Sequence, residues 1–80
     1  MEKADQELLM KLTTTNPQLK RLYQQHIKLG KEIERFEQYA RYSSSAALKQ
    51  RKLKKERLRG KESIIAILND YRNDHHVVAA

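Results

Sequence analysis

The sequence predicts an all-α protein: two long helices folded into an antiparallel, coiled-coil-like hairpin, with a short helix ahead of them. Three observations lead there. Only two glycines and one proline interrupt 80 residues, so turns are few. Hydrophobic content of 39% beside 34% charged residues suits a solvent-exposed helical pair better than a globule. The third is a heptad: Leu19, Leu22, His26, Leu29, Ile33, Phe36 and Ala40 follow one another in alternating steps of three and four. That spacing puts every side chain on one seam of a slightly underwound helix. A helix with one narrow apolar seam needs another helix to cover it.

In chain order, a first helix is expected over about residues 4–12, where Leu8, Leu9 and Leu12 share a face. Three β-branched residues, Thr13, Thr14 and Thr15, suit a break. Asn16 is a preferred N-cap, and Pro17 at the first helical position sacrifices no needed donor. The first long helix is then expected over about residues 17–41. Tyr42, Ser43, Ser44 and Ser45 supply the turn and the cap of the next helix. That second long helix is expected over about residues 46–72, before a flexible polar tail at 73–80. The whole chain is read as a single domain, too small for a large core.

The second long helix carries its own seam of Ala46, Leu53, Gly60, Ile64, Ile67 and Tyr71. A turn centred on Ser44 and Ser45 pairs Phe36 with Leu53, Leu29 with Gly60, His26 with Ile64, Leu22 with Ile67 and Leu19 with Tyr71. It also sets Gly30 level with Gly60, which favours close helix approach there, or filling by Leu29. Leu58, Ile65 and Leu68 form a further stripe on the second helix, as Tyr23 and Ile27 do on the first. A hairpin hides one stripe per helix. Residues 1–12, a second copy or a partner protein must cover the surplus, and self-association is the expectation.

The residues of both long helices resemble those of the YdcH-like small bacterial proteins. The likeness rests on Leu12, Asn16-Pro17, Arg21 to His26 and Lys31-Glu32-Ile33, then on Leu53 to Arg59, Lys61-Glu62 and Ile64. It implies a helical hairpin of the bacterial cytoplasm, and because the family has no assigned biochemical activity it carries over no catalytic residues. Gly30 and Gly60 depart from the family's pattern, which has an acid at the first position and Leu at the second.

The net charge of +7 is local. Lys49, Arg51, Lys52, Lys54, Lys55, Arg57, Arg59 and Lys61 stand against one acid, Glu56, while the remaining nine basic and nine acidic residues cancel. Eight cations along about 20 Å of helix can neutralise phosphates, so this run is the candidate site for nucleic acid or another acidic partner. A solvated helix face is the plainer reading, with Glu32, Glu34 and Glu37 available to offset some of the charge. No aromatic residue lies within the run to stack a base, which leaves weak non-specific attraction as the stronger form of the idea.

His26 on the seam is expected to be a packed or register-fixing residue rather than a ligand. His75 and His76 lack a third ligand for a metal. Tyr39 and Tyr42 are expected to pack over the turn, with a contact patch formed together with Arg41 as the alternative. No phosphate loop or nucleophile elbow occurs. No catalytic residue, cofactor or metal site is read, and an enzyme is the least favoured class. Cysteine is absent, the first residues lack the order of a secretory signal, and no stretch approaches the ~18 apolar residues of a membrane span. The expectation is a cytoplasmic, non-enzymatic interaction protein. The alternative is a basic accessory protein that binds RNA or DNA through residues 49–61.

Overall fold

The computed structural model describes residues 2–79, with side chains described through Asp74. It is helical throughout: α1 (Lys3–Leu12), α2 (Pro17–Ala40) and α3 (Ser44–Ala79), with no strand among the described residues. The two long helices pack along each other, and α1 lies against both, in a molecule measuring 56 × 20 × 19 Å.

Local chemistry sets the boundaries. The hydroxyls of Thr13, Thr14 and Thr15 donate back to the carbonyls of Met10, Lys11 and Leu12 at 2.9, 2.7 and 3.4 Å. They satisfy the carbonyls that the end of α1 leaves without an intrahelical partner. Asn16 then caps α2, its side-chain oxygen accepting from the Leu19 amide at 3.1 Å. The serines do not all belong to the turn. Ser43 is the cap, accepting the Ala46 amide on its Oγ at 3.3 Å, so α3 starts at Ser44 instead of Ala46. The linker is only Arg41, Tyr42 and Ser43. At its other end α3 runs helical to Ala79, where a flexible tail from Asn73 was expected. After Tyr71 neither Gly nor Pro intervenes to stop it.

The earlier turn shifts the register. Centring on Ser44 and Ser45 would set Gln50 opposite Tyr39 and Arg57 opposite Glu32. Instead Gln50 Nε2 donates to the Ile33 carbonyl at 3.1 Å, and Arg57 Nε to that of His26 at 3.4 Å. The two glycines therefore part company. A Cβ on Gly30 would lie 3.0–3.3 Å from the Arg57 guanidinium, whereas one on Gly60 would meet nothing within 4 Å. Close approach of the two helices at a shared glycine layer is thus wrong. Gly30 makes room for an arginine, and Gly60 opens onto a hollow of about 230 Å³ that Leu22 and Leu29 help to line.

The core gathers where all three helices meet: Leu9, Leu12, Leu19, Ile64 and Leu68 are buried together, with Leu8, Leu22, Tyr23, Ile67 and Tyr71 packed against them. Towards the linker the buried residues are Leu29 and Leu53 alone. The interior is a thin apolar line, widened at one end by α1.

Candidate interaction surfaces

Of the residues expected between the long helices, Leu19, Leu29, Leu53 and Ile64 are buried. Leu22, His26, Ile33, Phe36, Gly60, Ile67 and Tyr71 are half-buried. The outer stripe divides. Leu68, expected to await a partner, has no exposed surface and is buried in one cluster with Leu9 and Leu12 of α1. Ile65 is half-buried, and Leu58 stays 55% exposed. Ile27 of α2 is also exposed.

One row on α3 links these sites. Lys54, Leu58, Lys61, Ile65, Leu68 and Arg72 follow in alternating steps of four and three, so they share a flank. At the far end Arg72 Nη2 pairs with Asp5 of α1 at 2.6 Å. The sequence reading missed this pair, although Arg72 extends the row in phase. Nearer the linker, Lys54, Leu58 and Lys61 join Arg57, His26 and Ile33 around an open groove of about 330 Å³. Arg57 is steadied there by its bond to the His26 carbonyl and by the space that Gly30 leaves.

His26 borders both the groove and the Gly60 hollow. Its Nδ1 is buried with no hydrogen-bond partner. Burial, followed by the positive charges of Arg57 and Lys61, holds its pKa below the ordinary 6.5. The imidazole is consequently neutral near pH 7, as a packed seam residue should be.

The side chains of the basic run are divided among several surroundings. Lys49 lies 4.9 Å from the Phe36 ring centroid, a cation–π contact. Lys54, Arg57 and Lys61 border the groove. Arg51, Lys55 and Arg59, one turn apart with Lys52 beside them, are exposed, and Arg59 also borders the Gly60 hollow. Among the described residues no ion pair joins any of the eight cations to Glu32, Glu34 or Glu37, so the expected offset by α2 is not made through direct contact. At the linker end Tyr42 is 90% exposed and Tyr39 61%, which rules out the expected packing over the turn.

Among the described residues no three His, Asp or Glu side chains converge to hold a metal, and no helix is long and apolar enough to cross a membrane. The side chains of His75 and His76 lie outside the described residues. Comparisons with protein-family models, with curated proteins and with solved structures give no match for this chain.

Proposed function

We propose that this is a non-enzymatic helical interaction protein whose α2 and α3 form an antiparallel hairpin, and which docks a helix of another protein on the flank carrying Leu58. The order of contacts supports the hairpin. Phe36 meets Lys49, Ile33 meets Gln50 and His26 meets Arg57, so partners descend along α2 as they ascend along α3. The single observation that carries the docking reading is the half-covered stripe. α1 seals Leu68, and the same apolar flank continues past it to an exposed Leu58. A helix already accepts one end of the flank, and the remainder has the same character.

Self-association loses its strongest argument once α1 covers Leu68, and a partner of different sequence fits the flank better. The YdcH-like resemblance and a cytoplasmic setting belong to the same proposal. The test is a pull-down from nuclease-treated lysate, using the wild type and an Ile27→Ser/Leu58→Ser variant. Proteins retained by the wild type and lost from the variant support docking; identical retention removes it.

A second reading, nucleic-acid binding, has its own observation: Arg51, Lys52, Lys55 and Arg59 are exposed cations without an ion-pair partner among the described residues. Such a face attracts phosphates without selecting sequence. Steep loss of affinity with salt would mark it, whereas apolar helix docking responds weakly.

A further inference from the structure

The α3 row mixes cations with aliphatic side chains along its length, Lys54, Lys61 and Arg72 flanking Leu58 and the pair Ile65 and Leu68. At its far end that chemistry is in use. Leu9 and Leu12 share a buried cluster with Leu68, and the Asp5 carboxylate takes Arg72. α1 thus displays the kind of helix this flank accepts, with leucines facing down and a carboxylate at the edge. Its ten residues rise about 15 Å, whereas the row spans about 27 Å, so α1 cannot reach the other end. There Leu58 is exposed, and three cations, Lys54, Arg57 and Lys61, border a groove whose lining includes no acid. Arg57 is the most constrained of the three, since its Nε is bonded across to α2 while its guanidinium lies over Gly30. A guanidinium held in place is suited to receive a carboxylate.

Resting on the docking reading above, we propose that the groove takes a short acidic amphipathic helix of a partner protein. Its leucines seat on Leu58 and Ile33, and its Asp or Glu side chains pair with Lys54, Arg57 and Lys61. A second copy is the weaker occupant. Each chain carries +7, so two copies repel, and α1, whose Asp5 already takes Arg72, is seated on its own α3.

The test uses the full chain and two synthetic helical peptides with leucine at i, i+3, i+4 and i+7. One carries glutamate on its other faces, the other lysine. The glutamate peptide binds the wild type, as read by fluorescence anisotropy, and the lysine peptide does not. Lys54→Gln/Arg57→Gln/Lys61→Gln weakens binding by about tenfold or more. Arg51→Gln/Lys52→Gln/Lys55→Gln removes the same charge from the outer face and weakens it by less than about threefold. Leu58→Ser also weakens it, and circular dichroism verifies that every variant keeps its helix content. Equal weakening by the two triple variants means general charge attraction and overturns the proposal. Equal binding of both peptides keeps helix docking but overturns the acidic partner. Failure of both peptides to bind removes docking itself. A single-stranded oligonucleotide that displaces the glutamate peptide, and that loses its own binding in the groove variant, assigns these cations to phosphate and likewise overturns the proposal.

Discussion

At the scale of single residues, the two glycines make opposite demands. Each costs its helix about 0.5–1 kcal/mol relative to alanine. At Gly60 nothing occupies the space a side chain would take, so Gly60→Ala recovers that cost, and Gly60→Leu adds partial filling of the hollow beside Leu22 and Leu29. Both variants should melt higher than the wild type, Leu at least as high as Ala, by about 4–8 °C per kcal/mol. Gly30→Ala should gain less, because its methyl must push the Arg57 guanidinium aside. A Gly60→Leu variant that melts lower than Gly60→Ala would mean that the hollow closes in solution. His26 brings a pH dependence. Its folded pKa is lowered, so the unfolded chain binds the proton more readily, and stability present above pH 6.5 is lost as pH falls through the folded value. Thermal melts between about pH 7.5 and about pH 5.5 should show the wild type losing more stability than His26→Leu; parallel curves would exclude the histidine as the cause.

Among the elements, α1 matters beyond its ten residues. It converts Leu68 from a stripe residue into a core residue, while Leu58, ten positions earlier on the same flank, remains in water. Leu68→Ala should therefore cost about 2–5 kcal/mol, and Leu58→Ala less than about 1 kcal/mol, measured by urea denaturation. Similar costs would mean that α1 is not seated in solution. The helices themselves were legible, because heptad steps, Asn16-Pro17 and the serine run each act through neighbours in the chain. What sequence left open was non-local. The serines could not say which of them caps, and starting α3 at Ser44 moved the register that was counted from a later turn. Arg72 was in phase with Leu68 all along, but its value depends on Asp5 arriving from the opposite end of the chain. The eight cations likewise read as one run, although the helix turns them towards the groove, the Phe36 ring and open solvent.

For the molecule as a whole, an elongated body of 56 × 20 × 19 Å with its net charge concentrated on one helix should interact with polyanions along its length. Reversing Lys52, Lys55 and Arg59 to Glu should abolish retention on nucleic acid at low salt and leave helix content unchanged, because among the described residues no side chain of the three takes part in a hydrogen bond or ion pair, Arg59 offering only its carbonyl to the Ser63 hydroxyl. Undiminished retention would show that the outer face is only solvated.

The ion pair between Asp5 and Arg72 brings residues from opposite parts of the chain to within 2.6 Å. The pair is half-buried at the surface, and a single pair of this kind contributes about 1 kcal/mol, so the leucines beneath it hold most of the seat. Opening of α1 is consequently a local event, separable from melting of the two long helices. A donor dye at Glu2 and an acceptor at Asp74 would report that opening as a change in energy-transfer efficiency, with both labels clear of the groove. Docking of a partner on Leu58 alone leaves the signal constant, whereas a partner that displaces α1 lowers it. The same fluorescence trace thus distinguishes a ligand that extends the row from one that competes for it.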